Sequence, residues 1–339
     1  MPTIRGEPLI RRVGAGRLLT GVAAAAVALA PAVPQPVASA GVSSPDVAAV
    51  WYGAVLAPGH RPGAGVPGVS PFGILQVNLC DSGLARCYAN GQSVPEAAAV
   101  VRAQRPDVLT LNEFCRGDGG RGLVQAMEQT WPGDRVFEAF YPAGNSSRNA
   151  PYLCRSGQQY GVAVIGHVAP ANWAGLDVRG GVYPIQDASS SEQRVWLCAY
   201  AIGSYYVCTT HLDADAAGVA AAQCRYLTNT AIPNARAAMG GYSPTVVGGD
   251  LNLRYGGHPN VQSCVPAGWF RKGDDDVQHI LATSDLTFQF ARRIGMRHTD
   301  HDAWLVAVRA PAARRPAGAV TESTTGLGTR PASAHTVGG

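Results

Sequence analysis

Asp250 and Asn252 stand two apart in the stretch Pro244-Thr245-Val246-Val247-Gly248-Gly249-Asp250-Leu251-Asn252-Leu253. Side chains at i and i+2 of an extended segment point to one side, so a carboxylate and an amide project together from the end of a β-branched run. The C-terminal edge of a strand is where open α/β sheets keep their sites. Gly-Gly-Asp-x-Asn is also ordinary turn chemistry, with the two glycines letting the backbone bend sharply. The weight comes from four more segments of the same kind. Asn78 ends Leu75-Gln76-Val77-Asn78, and Glu113 ends Val108-Leu109-Thr110-Leu111-Asn112-Glu113. His211 ends Cys208-Thr209-Thr210-His211, and Asp300-His301 precedes a last apolar run. Carboxylate, amide and imidazole are the groups of proton transfer and oxygen coordination.

The elements that must position these groups alternate along the chain. Strands are expected at Gly73–Leu79, Asp107–Asn112, Arg135–Tyr141 and Tyr160–Gly166, from apolar and β-branched runs of strand length. A hairpin pairs Arg194–Ala201 with Tyr205–Thr210 around Gly203, and further strands fall at 245–249, 277–282 and 303–308. Helices are expected over Val94–Gln104, which stops before Arg105-Pro106, over Leu123–Thr130, and from Asp215 to about Asn229. Residues 143–150 read as a loop, and the chain has no internal repeat. Alternating helices and strands with interspersed hairpins imply a mixed-sheet α/β domain over residues 72–309.

The flanks differ in composition. Arg5, Arg11, Arg12 and Arg17 precede an apolar run, Leu18–Ala30, and Val37-Ala38-Ser39-Ala40 supplies a small-residue cleavage site, so residues 1–40 read as a secretory signal. The apolar run is short for a membrane span, and no transmembrane segment is expected after cleavage. Residues 41–71 read as a flexible Gly/Pro/Ala-rich arm and residues 310–339 as a disordered tail. Of the formal net charge of +4, the leader carries three and the tail from Ala310 two, leaving residues 41–309 at about −1. The domain thus lacks the basic excess on which non-specific nucleic-acid binding draws.

Eight cysteines, all after the leader, suit an oxidising compartment and a secreted protein. Cys80 and Cys87 bracket a short loop, and Cys198 and Cys208 are equidistant from the hairpin turn. Elimination leaves Cys115 with Cys154 and Cys224 with Cys264. Metal ligation is the other use of cysteine, but the sequence has no Cys-x-x-Cys.

Together, Gln-Val-Asn78, Leu-Asn-Glu113, Tyr160-Gly161-Val-Ala-Val-Ile, Thr-His211-Leu, Gly-Asp250-Leu-Asn252 and Thr-Asp300-His301 resemble the endonuclease/exonuclease/phosphatase superfamily. That group contains DNase I-like nucleases, inositol-polyphosphate phosphatases and bacterial sphingomyelinases. The resemblance spans roughly residues 72–308 and implies a four-layer α/β sandwich of two mixed β-sheets flanked by helices. It also implies phosphoester hydrolysis. Glu113, helped by Asn78, would hold Mg²⁺, with Mn²⁺ or Ca²⁺ as alternatives, through oxygen ligands. His301 would be the general base, oriented by a carboxylate. Asp250 and Asn252 would orient water and phosphate or assist the metal, and Asp300 would sit near it. His211 would donate to phosphate or protonate the leaving group. Arg194 either contacts a phosphate or is an exposed residue at the start of its strand.

One position departs from the family's pattern. An Asp is expected ahead of the last apolar strands to orient the histidine, but Asp274-Asp275-Asp276-Val277-Gln278-His279 places Gln278 there. Either Gln278 orients His301 weakly, or Asp276 or Asp285 substitutes, or turnover is low; the triple Asp also reads as a solvated loop. The expected substrate is nucleic acid, cut by a secreted, monomeric nuclease. The rivals are a sphingomyelinase-type phospholipase C, for which Trp269-Phe270 is the compact candidate to enter a bilayer, a small-substrate phosphatase, and a non-catalytic binding protein of the same fold.

Overall fold

Apolar residues at alternating positions along the strands sort into opposite faces, and two sheets result. A computed structural model describes residues 48–52, 71–240 and 244–310. The signal and, beyond Ala310, the tail lie outside the described residues. In chain order the strands are β1 (Ala48–Tyr52), β2 (Phe72–Asn78), β3 (Val108–Cys115), β4 (Arg135–Pro142), β5 (Gly144–Asn145), β6 (Ala150–Pro151), β7 (Tyr160–Val168) and β8 (Leu176–Val182). They continue with β9 (Glu192–Gln193), β10 (Val195–Ala201), β11 (Tyr205–His211), β12 (Thr245–Asp250), β13 (Trp269–Gly273), β14 (Gln278–Thr283), β15 (Thr287–Ile294) and β16 (Ala303–Arg309). One sheet has the order β1-β4-β7-β3-β2-β16-β15 and the second β13-β14-β12-β11-β10-β8, while β6-β5-β9 form a small third sheet. Each large sheet is mixed, with one parallel pair, β2 beside β3 and β11 beside β12.

Ile74, Val108 and Val164 on the first sheet meet Leu197, Val207, Val246 and Ile280 on the second. Their neighbours one residue on, Leu75, Leu109 and Ile165, face α1 (Ser93–Gln104) and α2 (Asp118–Thr130). On the far side, Cys198, Cys208, Val247 and Leu281 face the helices α3 (Ala217–Tyr226) and α4 (Ile232–Ala238). The period-2 alternation therefore builds three cores and four layers, helices, sheet, sheet, helices, as the resemblance implies.

Several boundaries differ from expectation for physical reasons. Within the stretch read as a flexible arm, Ala48–Tyr52 pairs antiparallel with β4, so the first sheet begins before residue 72. The helix expected to end near Asn229 runs on to Ala238. Pro233 has no N–H to donate, and a π-helical segment, Leu227–Ala231, with Ile232 N–H bonded to Leu227 O, absorbs the fault. Gly248 and Gly249 make no turn. They lie inside β12, paired with Thr209 and Thr210 of β11. A Cβ at Gly248 would overlap the Thr110 hydroxyl of the opposite sheet, so this glycine permits close approach of the two sheets.

All eight cysteines are paired: Cys80–Cys87, Cys115–Cys154, Cys198–Cys208 and Cys224–Cys264. Among the described residues, no helix is long and apolar enough to cross a membrane.

Candidate active site

The parallel strand pairs end at the same rim of the sandwich. Asn78 stands beside Asn112 in register, and His211 beside Asp250. β3 carries a bulge between Leu111 and Phe114, and Glu113 takes a left-handed φ of 50°. Such a bulge re-aims a side chain at the price of local strain. Asn252, at φ 48°, is bent in the same way. These turns deliver Glu113, His211, Asp250, Asn252, Asp300 and His301 to one cleft of about 420 Å³, which Arg194 and Glu192 also line.

Asp250 is the hub. Its Oδ1 accepts from Asn252 N–H at 3.0 Å, and its Oδ2 accepts from Asn78 Nδ2 at 3.1 Å. His301 Nε2 is 3.5 Å from the same Oδ2, and His211 Nε2 is 3.9 Å away. Asn78 Nδ2 also donates to Glu113 Oε1 at 3.0 Å, so one amide ties the two carboxylates together. Asn78, expected to lend oxygen to a cation, instead turns Oδ1 to Cys80 N–H at 3.1 Å. In this arrangement its amide nitrogen holds the two carboxylates of the site together. Burial, reinforced by the charges of Glu192 and Asp250 and only partly offset by the Asn78 hydrogen bond, raises Glu113 to about 7.

Arg194 is not exposed at the start of its strand. It is buried, with Nη1 3.0 Å from Glu192 Oε1 and 2.9 Å from His211 Nδ1. Gln186 clamps its backbone from both sides. A guanidinium only donates, so His211 Nδ1 accepts and the ring proton sits on Nε2. Burial, together with the positive charges of Arg194 and His301, holds His211 well below the ordinary imidazole range. His211 is thus a neutral donor facing the cleft.

Gln278 does not orient His301. Its Oε1 accepts from Asn78 N–H and from Gln76 Nε2, each at 3.3 Å, and its Nε2 donates to Asp302 O. Asp276 pairs with Arg254, and Asp285 follows the far end of β14. The carboxylates beside His301 are Asp250 and, at 3.7 Å, Asp300. Behind them lies a buried polar network absent from the sequence reading. Thr110 Oγ1 donates to Gln76 Oε1 and Gln76 Nε2 to Asn112 Oδ1, which also accepts from Asp250 N–H at 2.7 Å. Asn112 Nδ2 closes it onto Thr210 O at 2.9 Å. The signal was present: Gln76/Asn78 and Thr110/Asn112 are polar pairs two apart in otherwise apolar strands. Glu192, by contrast, gave none.

The donor set fits a hard divalent cation. Glu113 and Asp250 bring two carboxylates to one place, and Glu192 adds negative charge while Arg194 is already engaged. Mg²⁺ characteristically takes one or two carboxylates and keeps several waters. The cluster of three ligand-type side chains found among the described residues is Cys80, Cys87 and Glu113, whose sulfurs are joined in the disulfide. Trp269 and Phe270, the candidates for bilayer entry, lie half-buried in β13 against the second sheet's two cores.

No family model matches the chain, and no curated protein matches it in sequence. Solved structures do. An endonuclease/exonuclease/phosphatase from Beutenbergia cavernae superposes with a TM-score of 0.52 at 18% identity, covering 72% of each chain. The human Nocturnin catalytic domain matches with a TM-score of 0.49 at 14% identity over 70% of this chain and 94% of its own. A Bacteroides thetaiotaomicron protein described as endonuclease/exonuclease/phosphatase family gives 0.47 at 13% identity over 72% and 99%. The chain has the endonuclease/exonuclease/phosphatase fold, the two-sheet α/β sandwich.

Proposed function

We propose that the chain is a metal-dependent phosphodiester hydrolase, exported from the cell and acting as a DNase I-like nuclease. The observation supporting this is the convergence of Glu113, His211, Asp250, Asn252 and His301, from separate segments, on one cleft. Phosphodiester hydrolysis needs anionic oxygens neutralised, a water deprotonated and a leaving oxygen stabilised. Each need has a residue suited to it. Glu113 and Asp250 would hold a divalent cation, which would supply Lewis acidity to the phosphoryl and leaving oxygens. His211 donates a hydrogen bond from Nε2–H to a phosphoryl oxygen. His301 takes the proton of the attacking water, and Asp250 stabilises the imidazolium across 3.5 Å. Asn252, anchored by Nδ2 to Leu212 O at 2.9 Å, helps place that water. Four disulfides suit export. The half-burial of Trp269 and Phe270 within β13, packed against the second sheet's cores, weighs against the phospholipase C alternative.

The test is a panel assay of the purified protein with Mg²⁺, Mn²⁺ or Ca²⁺ on plasmid DNA, RNA, sphingomyelin and a chromogenic phosphodiester, with His301→Ala alongside. DNA hydrolysis lost in the variant is the expected result. Preference for sphingomyelin would replace the nuclease reading. Equal background in both proteins would leave a binding protein.

A further inference from the structure

Cys80 and Cys87 close a loop whose Ser82, Leu84 and Ala85 line the cleft. Of the eight cysteines, Cys87 alone is not buried, so this disulfide is the one a reductant in solution meets first. Both sulfurs and a Glu113 carboxylate oxygen lie within 4.8 Å of one another. Cys80 is held beside Glu113 independently of the disulfide. Leu79 N–H donates to Asn112 O at 3.0 Å, Asp81 N–H to Glu113 O at 3.2 Å, and Cys80 N–H to Asn78 Oδ1 at 3.1 Å. Two residues on, Arg155 N–H donates to Ser82 O at 2.8 Å.

We propose that opening the Cys80–Cys87 disulfide converts Cys80, Cys87 and Glu113 into a zinc site that withdraws Glu113 from the catalytic cation. The loss of catalysis rests on the hydrolase reading; the metal site does not. A water-soluble phosphine supplies the two electrons. The S–S bond breaks, phosphorus is oxidised to the phosphine oxide with oxygen from water, and the water's protons go to the two sulfurs. Zinc binding then releases both protons as the thiols become thiolates. Tetrahedral zinc with Zn–S near 2.3 Å sets its ligand atoms roughly 3.5–3.8 Å apart. With Cα atoms 6.0 Å apart, side-chain rotation suffices to part the sulfurs. Thiolates select zinc over magnesium because they are soft ligands, and the fourth position stays open to water.

The experiment uses the full chain, treated with mild phosphine, equilibrated with Zn²⁺ and freed of loose metal. Elemental analysis should find about one zinc per chain that untreated protein does not hold. Cys80→Ser/Cys87→Ser, with the other three disulfides intact, should hold none after the same treatment, nor should wild type reduced and then alkylated. Co²⁺ in place of zinc should give a thiolate charge-transfer band, and Glu113→Gln should weaken Zn²⁺ affinity at least tenfold. Reduced wild type retaining no more zinc than untreated protein, or no more than the double variant, would overturn the site, and unchanged affinity in Glu113→Gln would overturn its geometry. Phosphodiesterase activity should fall at least tenfold in the zinc-loaded protein and return when zinc is exchanged for Mg²⁺. Zinc bound by a protein without hydrolase activity would sink the hydrolase reading alone, whereas an active enzyme that binds no zinc would sink the site alone.

Discussion

Arg194 offers five N–H donors and no acceptor, and this decides what His211 can be. With Nδ1 turned to the guanidinium, His211 presents N–H to the cleft and cannot act as a base. Arg194→Met should release the ring, letting it sample the other tautomer and protonate. Nitrogen NMR of the imidazole should show the Nε2–H form in wild type and a mixture in the variant, while kcat falls roughly 10- to 100-fold. A wild-type spectrum with the proton on Nδ1 would remove this role. Gln278 calls for a second residue-scale test. Were it a weak substitute for an acid, Gln278→Asp would raise activity. Its amide instead staples β2 to the loop bearing Asp300 and His301. Aspartate has a shorter reach and no N–H, so the variant should lose activity and about 1–2 kcal/mol of stability, read from denaturant midpoints.

At the scale of elements, the interior strands and their polar ends were legible and the sheet edges were not. Strands β1, β8, β13 and β15 escaped the sequence reading, and they are the four outer edges of the two large sheets. An edge strand is half-covered, so its sequence need not carry the apolar run that marks a buried strand. In β8, Leu-Asp-Val-Arg-Gly-Gly-Val, two glycines leave room for the Tyr141 and Trp196 rings. β15 mixes Thr, Gln and two Arg with its aromatics. The site members were legible because most close an apolar run, as Asn78, Glu113, His211 and Asp250 do, or directly precede one, as Asp300 and His301 do. Gln278 was misjudged because its partners, Gln76, Asn78 and Asp302, are far away in sequence, and Glu192 was missed because it ends no apolar run. The Gly-Gly pair was legible as a special position but given the wrong cause. If Gly248 exists to admit Thr110, Gly248→Ala should cost at least about 2 kcal/mol through overpacking. Thr110→Ala in the same chain should restore part of that, beyond additivity. Equilibrium unfolding of the four proteins in the cycle measures it, and strictly additive losses would refute the contact.

For the whole molecule, buried groups set two opposed responses to pH. His279 lies inside the second sheet, its Nε2–H donating to Leu253 O at 2.7 Å and its Nδ1 accepting from Arg271 at 3.1 Å. Burial lowers it to about 4. Its folded pKa is below the unfolded value, so its contribution is complete above about 6.5 and is lost as pH falls through about 4. Glu138 runs the other way. Buried on β4, with Arg116 Nε 3.9 Å from Oε1 and no partner for Oε2, it is raised by burial to about 7, the arginine only partly offsetting this. Its contribution is complete below about 4.5 and is lost as pH rises through about 7. Each shift corresponds to about 3 kcal/mol, and their windows nearly coincide, so in wild type these two slopes oppose each other. Glu138→Gln should tilt stability upward from pH 4.5 to 7, gaining on wild type at pH 8 and matching it near pH 4. His279→Gln, which keeps a donor for Leu253 O, should tilt it downward over the same range. Denaturant unfolding of the three proteins from pH 4 to 8 reads the slopes directly. If the two variants tilt in the same direction, the burial of at least one of these groups has been misassigned.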